Sequence, residues 1–232
     1  FRQVPGAFAG AMQGIEHFKA AGVPFQINTT ITQANLGEIP RIQELAVRLG
    51  AVAHHIFLLV PTGRARDMTD QEISAEQYED ILHWFYEMRS AVPIHLKATC
   101  APHFYRVLRQ EAHRKGEKVD YATYGLDAMT RGCLGGTSFC FISHQGTVQP
   151  CGYLELQSGD LKNSTFKEVW EKSPVFTKLR DVSNYKGKCG VCEYLKFCGG
   201  CRARAFEATG DFMEEEPLCM YQPSRKALHG CH

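Results

Sequence analysis

The sequence predicts an α/β protein in two parts, a segment of a parallel barrel or open sheet followed by a small cysteine-rich domain. Through the first part of the chain, helical and strand patterns alternate, which is typical of parallel strands joined by crossover helices. One strand pattern, HHIFLLVP at 54–61, is almost continuously apolar, as expected for a strand buried on both faces. Nine of the ten cysteines lie between Cys133 and Cys231, so the composition becomes cysteine-rich from Cys133 onward.

Each predicted element of the first part has a local signal of its own. Three stretches that are β-branched, aromatic or apolar predict strands, and they lie at residues 25–32, 54–61 and 94–100. Apolar residues at helical spacing predict four helices around them, at residues 7–21, 35–50, 74–90 and 101–115. We expect Asn35 to cap the second helix and Gly50 to end it. Ser74 and Gln77 predict a capping box at the start of the third helix.

The second part is predicted to be less regular. Residues 112–132 are polar and contain glycine without a clear period, so we expect a linker there. A helical pattern at 165–180 should break at Pro174. Short strand patterns rich in glycine and cysteine lie around it. We place the domain boundary near residue 125, which gives the parts 1–125 and 126–232.

The predicted first part is incomplete as a barrel. Three strands with about four helices make half of a barrel or an open sheet, and half a barrel cannot close by itself. The sequence begins at Phe1 in the middle of a pattern. We therefore expect the chain to be a piece of a longer protein whose N-terminal part is missing.

Composition and charge exclude several classes of partner. The formal net charge of +1 gives no basis for binding nucleic acid or a membrane surface. No apolar run approaches the roughly 20 residues needed to span a bilayer, and no signal peptide is visible. With 44% hydrophobic residues, the chain should bury an ordinary core. We expect a soluble, cytoplasmic protein.

The cysteine pattern predicts a metal site. Paired C-x2-C spacing without a signal peptide favours metal over disulfides. Eight thiolates make two sets of four, and a [4Fe–4S] cluster takes four. Cys189, Cys192, Cys198 and Cys201 could instead form one tetrahedral zinc site, so spacing alone leaves the metal open. The eight cysteines are Cys133, Cys140, Cys151, Cys189, Cys192, Cys198, Cys201 and Cys219.

This cysteine pattern resembles the SPASM extension of radical SAM enzymes. The family has three residues between the last clustered pair, whereas this chain has two. The resemblance implies two interleaved auxiliary [4Fe–4S] clusters, and at least one. The first would be held by Cys133, Cys140, Cys151 and Cys201, and the second by Cys189, Cys192, Cys198 and Cys219.

The upstream segments FQINTTIT, LLVPTGRA and HLKATCAPHFYR, with CGGCRARAFEATGDFMEEEPLC downstream, resemble radical SAM enzymes of haem biosynthesis. This resemblance implies the C-terminal part of a partial (β/α)6 barrel followed by a SPASM domain. The implied activity is oxidative decarboxylation of two propionates of iron-coproporphyrin III to vinyl groups, which gives haem b. Three alternatives stay open: the related enzyme of nitrite-reductase haem synthesis, a SPASM peptide-modifying maturase, and a zinc-stabilised interaction module without catalysis.

Radical initiation in this family requires C-x3-C-x2-C, and no two cysteines of the chain are separated by three residues. The resemblance therefore implies that S-adenosylmethionine and a third [4Fe–4S] cluster are bound in a full-length parent, and that this chain alone is inactive. The implied partners are a tetrapyrrole substrate and an electron donor such as a flavodoxin or ferredoxin. An auxiliary cluster is a plausible acceptor for the electron released with CO₂.

Several residues outside the cysteine pattern are weaker candidates. The resemblance places Arg64, in the loop PTGR after a strand, near S-adenosylmethionine, and Asn28 in FQINTTIT is a second candidate for that contact. Cationic residues suit the carboxylates of a porphyrin, and the candidates around TCAPHFYR are Lys97, His103 and Arg106. We interpret Cys100 as a small buried hydrophobe and Cys231 as a thiol of the chain's tail.

Overall fold

The structure is a computed structural model that describes residues 4–224. Cys231 lies outside the described residues. The strands are β1 Gln26–Ile31, β2 Ala53–Leu58, β3 His95–Thr99, β4 Phe141–Ile142, β5 Thr147–Gln149 and β6 Gly159–Asp160. The α-helices are α1 Ala7–Ala20, α2 Ile39–Leu49, α3 Ala75–Ala91, α4 His103–Arg114, α5 Tyr121–Tyr124, α6 Leu126–Met129, α7 Phe166–Lys172, α8 Pro174–Arg180, α9 Gly187–Gly190 and α10 Arg202–Thr209. Single 3₁₀ segments lie at Leu36–Glu38, Gly63–Gln71 and Val182–Asn184.

The first sheet is parallel, with the strand order β1-β2-β3. This arrangement confirms the predicted βαβ alternation. Successive side chains of a strand point to opposite faces, and α2, α3 and α4 cover one face only. That face carries the main apolar core, which includes Ile31, Ile56, Leu58, Leu96 and Ala98 together with Phe85, Phe104 and Leu108 of the helices.

The other face of this sheet is only partly covered within the described residues. The strand register aligns Asn28, His55 and Lys97 in one row across it, and Phe57 and Thr99 are partners in the next row. Asn28 and Lys97 are exposed, and His55 is half-buried. A sheet with one helical face and one polar face has the geometry of a barrel wall.

Local helix signals explain most of the helix ends. Ser74 and Gln77 form the predicted capping box at the start of α3, and Gly50 ends α2 with a φ of 78°, which glycine adopts without strain. The prediction that Asn35 caps the second helix is wrong. Its side chain instead accepts a hydrogen bond from the Thr32 backbone N–H at 2.8 Å and donates one to the Thr30 carbonyl at 2.8 Å. Asn35 thus closes the turn that follows β1.

The expected linker at residues 112–132 is partly helical, because it contains α5 and α6. Asp120 caps α5 by accepting a hydrogen bond from the Thr123 backbone N–H at 3.1 Å. Tyr124 is buried in the main core, where its hydroxyl lies 3.0 Å from that of Tyr86. Ala128 also packs against that core. Such packing against a distant helix leaves no periodic signal in so short a segment.

The cysteine-rich part contains a second, antiparallel sheet with the order β4-β5-β6. Helices α7 and α8 pack on it and are separated at Ser173, immediately before Pro174 as predicted. Val148, Val169 and Phe176 form the small core between sheet and helices. This core is separate from the one beneath the first sheet.

The two parts are joined by hydrogen bonds at the carboxyl ends of the parallel strands. Arg204 of α10 donates from Nη2 to the carbonyl of Leu59 at 3.3 Å and to that of Cys100 at 3.1 Å. On the surface, Arg66 contacts Glu207 at 3.1 Å. The cysteine-rich part therefore lies against the edge of the sheet where parallel α/β folds place their ligand sites. Among the described residues, no helix has the length and apolar character needed to cross a bilayer.

Candidate metal centres

Four of the predicted ligands line one small cavity. The cavity lies between α9, the turn after it and the backbone before α10, and its cysteines are Cys189, Cys192, Cys198 and Cys219. These are the four that the resemblance assigns to the second cluster. Within residues 4–224, no three His, Cys, Asp or Glu side chains are grouped closely enough to hold a single metal ion.

Backbone amides and a buried cation surround the sulfurs of this second set. The Gly200 N–H donates to Cys198 Sγ at 3.5 Å and the Glu216 N–H donates to Cys189 Sγ at 3.5 Å. Arg202, which is 1% exposed, places Nη2 3.6 Å from Cys189 Sγ. Donors of this kind stabilise thiolates and tune the potential of a thiolate-ligated cluster. The set therefore fits an anionic iron–sulfur cluster.

A glycine makes room for these contacts. Gly200 has a φ of +59°, and a Cβ at this position would lie 2.4 Å from Arg202 Nη2, 2.9 Å from Glu216 Cβ and 3.2 Å from Cys189 Sγ. A side chain here would displace the cation and the sulfur together. Gly199 beside it also has positive φ and lines the cavity.

Burial raises the pKa of the thiols in this set. The pKa of Cys192 is raised to about 11 and that of Cys198 further, in both cases mainly by burial. A thiol with so high a pKa stays protonated at neutral pH unless a cation replaces its proton. Ligation by iron would supply that cation, so the chemistry of the donor set also fits a cluster.

His103 and Arg106 lie at this cavity, and not on the open face of the sheet that carries Lys97. His103 is fully buried, and neither ring nitrogen has a hydrogen-bond partner among the described residues. Arg106 is 2% exposed and forms an ion pair with Glu79. The prediction that these two residues meet porphyrin carboxylates is therefore wrong, because both side chains are enclosed beside the cysteines.

A second and larger cavity, of about 950 Å³, lies at the carboxyl ends of β2 and β3. Cys133, Cys151 and Cys201 line it, three of the four thiols that the resemblance assigns to the first cluster. The Leu154 N–H donates to Cys151 Sγ at 3.3 Å. This group of three is again suited to iron, although three thiols leave one position of a cubane unfilled.

Cys140 and Cys100 have neighbours that the sequence did not indicate. Cys140 packs against the small core of Val148 and Phe176 and does not line either cavity. Cys100, expected to be a plain buried thiol, lines the large cavity with the other three cysteines. Nothing in the sequence spacing indicates this, because Cys100 belongs to the first sheet's edge.

A buried ion pair that sequence reasoning missed supports the first group. Arg204 donates from Nη1 to both carboxylate oxygens of Glu216 at 3.0 Å each, and both side chains are 1% exposed. Glu216 also accepts a hydrogen bond from the Cys201 backbone N–H at 2.6 Å. An arginine in CRARAF and a glutamate in MEEEP carry no signal that distinguishes them from surface charges.

The cysteine-rich part matches a known family model. Residues 133–202 match the model described as "SPASM: Iron-sulfur cluster-binding domain". This segment of the chain is similar to SPASM domains. Its match begins at Cys133 and ends at Arg202, so it covers both groups of cysteines except Cys219. The prediction of an iron–sulfur-binding region of this family is confirmed.

The curated relatives extend the likeness to the whole chain. AdoMet-dependent heme synthase of Nitratidesulfovibrio vulgaris is 59% identical over 97% of this chain and 61% of that protein. AdoMet-dependent heme synthase of Methanosarcina barkeri is 56% identical over 97% of this chain and 64% of that protein. Pre-heme d1 synthase of Dinoroseobacter shibae is 27% identical over 94% and 57%. The chain therefore spans a little less than two thirds of the heme synthases that it matches.

The solved structures confirm the fold class. Streptococcus suis SuiB bound to S-adenosylmethionine matches with a TM-score of 0.65 at 13% identity, over 91% of this chain and 48% of that one. Native anSMEcpe with bound AdoMet matches with a TM-score of 0.56 at 19% identity, over 89% and 55%. The α/β segment followed by the cysteine-rich part thus has the fold of part of each of these two proteins.

The two residues expected near S-adenosylmethionine lie outside the cysteine cavities. Asn28 is exposed on the open face of β1 and accepts a hydrogen bond from the Gln26 side chain at 2.9 Å. Arg64 is exposed at the start of the 3₁₀ segment after β2. Lys97 lines the large cavity beside the SPASM domain.

Proposed function

We propose that the chain is the cluster-binding part, with the adjoining barrel segment, of an AdoMet-dependent heme synthase. The observation that supports this substrate class is the identity of 56–59% to three such synthases, against 27% to pre-heme d1 synthase and to a PqqA peptide cyclase. The proposed reaction converts two propionates of iron-coproporphyrin III to the vinyl groups of haem b. The proposed division of the chain is 1–125 for the barrel segment and 126–232 for the SPASM domain.

The proposed cofactors of this chain are two [4Fe–4S] clusters. The second is assigned to Cys189, Cys192, Cys198 and Cys219, because these thiols share one cavity with amide donors and a buried arginine. The first is assigned to Cys133, Cys151 and Cys201 with a fourth thiol, for which the resemblance names Cys140. Asn28 and Arg64 are proposed contacts of S-adenosylmethionine.

The large cavity is the proposed substrate site. Its volume of about 950 Å³ lies at the upper end of the range for small-molecule sites. Lys97 and Arg131 line it, and cations of this kind can pair with the carboxylates of a porphyrin. Arg131 keeps Nε and Nη2 buried without a partner among the described residues. Aromatic walls for a flat macrocycle are supplied by Phe57, Tyr105, Phe139, Phe141 and Tyr153.

The chemistry requires a nearby electron acceptor. For each propionate, a hydrogen atom leaves the β-carbon, the carboxylate leaves as CO₂, and one electron must be removed for the double bond to form. A cluster at the first group of cysteines would supply an acceptor for that electron. The residues of this chain hold the carboxylates by charge, stack on the ring and exclude water from the cavity. A flavodoxin or ferredoxin is the proposed redox partner.

The clusters are tested by metal analysis of the full-length protein that contains this chain, purified anaerobically. Two auxiliary cubanes together with one S-adenosylmethionine-binding cubane predict about twelve iron and twelve sulfide per chain. Zinc without sulfide would support the zinc-stabilised module instead.

The substrate is tested with the same preparation, reduced and supplied with S-adenosylmethionine. Iron-coproporphyrin III should be converted to haem b, with the release of two CO₂ for each haem. An enzyme that cleaves S-adenosylmethionine but leaves this porphyrin intact would reject the substrate. Conversion of the nitrite-reductase haem precursor or of a peptide would then identify the alternative.

A further inference from the structure

Cys100 lies where the fourth ligand of the first cluster is needed. It follows β3 directly and lines the large cavity together with Cys133, Cys151 and Cys201. Cys100, Cys151 and Cys201 also share one apolar cluster with Leu154. Four thiols thus line one cavity, three from the SPASM domain and one from the end of a barrel strand.

Cys140, which the family pattern assigns to this set, has different neighbours. Its side chain belongs to the core formed by Val148, Val169 and Phe176. It lines neither of the two cavities that contain the other cysteines.

The backbone at Cys100 is held in an unusual conformation. Cys100 has a φ of 54° and is the only non-glycine residue with positive φ among residues 4–224. Its carbonyl accepts hydrogen bonds from Arg204 Nη2 at 3.1 Å and from the Tyr78 hydroxyl at 3.4 Å. Strain of this kind persists only where surrounding contacts impose it, and it is concentrated at functional sites.

The same contact connects Cys100 to the other thiols. Arg204 belongs to α10, which begins immediately after Cys201, and its partner Glu216 accepts a hydrogen bond from the Cys201 backbone N–H. One buried ion pair therefore fixes the backbone of both Cys100 and Cys201. The two thiols are positioned relative to each other although they come from different parts of the chain.

We propose that Cys100 is a thiolate ligand of the cluster held by Cys133, Cys151 and Cys201, in the position that the family pattern gives to Cys140. On binding, the Cys100 thiol loses its proton to solvent and its sulfur bonds to iron. This inference rests on the proposed cluster-binding function. A barrel strand would then be attached to the SPASM domain through iron as well as through hydrogen bonds.

The test compares single variants of the full-length protein, purified anaerobically and reconstituted with iron and sulfide. Cys100→Gly removes the thiol and suits the positive φ, so the variant should fold. Cys140→Ala is the matched control. Cys133→Ala shows the effect of losing a ligand that both the family pattern and the lining of the large cavity assign to this cluster. Iron, sulfide and the EPR spectrum of the reduced protein are measured, together with the far-UV circular dichroism of each variant.

Cys100→Gly should lose about four iron per chain and the EPR signal that is also lost in Cys133→Ala, whereas Cys140→Ala should keep both. A Cys100→Gly protein with full iron and an unchanged spectrum overturns the proposal. So does loss of the cluster in Cys140→Ala. A wild-type protein without auxiliary clusters would instead reject the proposed function, which separates the two failures.

Discussion

A single nitrogen of Arg204, Nη1, donates to both carboxylate oxygens of Glu216, and both side chains of this ion pair are 1% exposed. Burial tends to raise the pKa of Glu216, but Arg204 and His103 outweigh it, and the pKa is lowered overall. The carboxylate is therefore charged at neutral pH. Since the pair also contacts Leu59, Cys100 and the Cys201 amide, it is the principal polar connection between sheet and SPASM domain.

Replacing Glu216 by Gln should destabilise the protein strongly. The change leaves the Arg204 charge buried without a counter-ion, and breaking such a pair costs about 3–5 kcal/mol. The free energy of unfolding of the full-length protein in denaturant measures the loss. Glu38→Gln is the control, because it removes an exposed pair with Arg41 and should cost at most about 1 kcal/mol. Equal effects of the two changes would contradict the role of the buried pair.

Gly200→Ala should remove the second cluster. Its Cβ would meet Arg202, Glu216 and Cys189 at 3.2 Å or less, so iron should fall by about four per chain. Gly210→Ala is a matched control, because Gly210 also has positive φ, 78°, but has nothing within 4 Å of an added Cβ. Both changes strain the backbone, and only the first crowds a ligand. Equal iron content in the two variants would show that the cluster does not require the space beside Gly200.

His54 should make stability depend on pH. It is fully buried, its Nδ1 lies 2.6 Å from Gln43 Oε1 and its Nε2 lies 2.9 Å from Thr29 Oγ1. Burial, with a smaller contribution from His55, lowers its pKa to about 4 from 6.5. The folded state therefore prefers the neutral ring, so stability is complete above pH 6.5 and falls as the pH drops toward 4.

This loss should amount to about 1.4 kcal/mol per pH unit below 6.5. It is measured as the free energy of unfolding between pH 8 and pH 5, with the cluster content held constant. His54→Gln should reduce the slope in that range. A slope that His54→Gln does not alter would place the titration elsewhere.

Lys97 should contribute to porphyrin binding. It lies on the open face of β3 and lines the large cavity, where its charge can meet a propionate. Lys97→Gln should raise the Kd of iron-coproporphyrin III about fivefold, the equivalent of about 1 kcal/mol, in an absorbance titration of the full-length enzyme. Lys118→Gln, a change at a side chain that is 85% exposed, should bind like the wild type. Unchanged affinity in Lys97→Gln would remove this residue from the substrate site.

Local sequence signals were sufficient for much of the fold. The Ser74–Gln77 capping box, the glycine end of α2 and the break before Pro174 depend on residues within a few positions of one another. The prediction for Asn35 failed because an asparagine side chain can form hydrogen bonds with a preceding strand as readily as it can cap a helix. The second ligand set came from the resemblance to the SPASM pattern, because spacing alone would also group Cys189, Cys192 and Cys198 with Cys201.

The first ligand set could not be derived in the same way. Arg204 and Cys100 are 104 residues apart in the chain, and only the docking of α10 on the strand ends brings them together. Cys140 is close in sequence to Cys133, but its neighbours are set by the packing of β5 against α7 and α8. Contacts of this kind depend on tertiary geometry, for which spacing carries no information.

The one-sided burial of the first sheet separates two kinds of substitution. Asn28, His55 and Lys97 project from the face opposite the one that contains Ile56 and Leu96, so an exchange in that row leaves the interdigitated apolar layer untouched. Randomising the three positions together should produce proteins with altered ligand preference and nearly constant melting temperature. One face of the sheet can thus be varied while the opposite face keeps the apolar core, so new ligand selectivity can be sought there with little loss of stability.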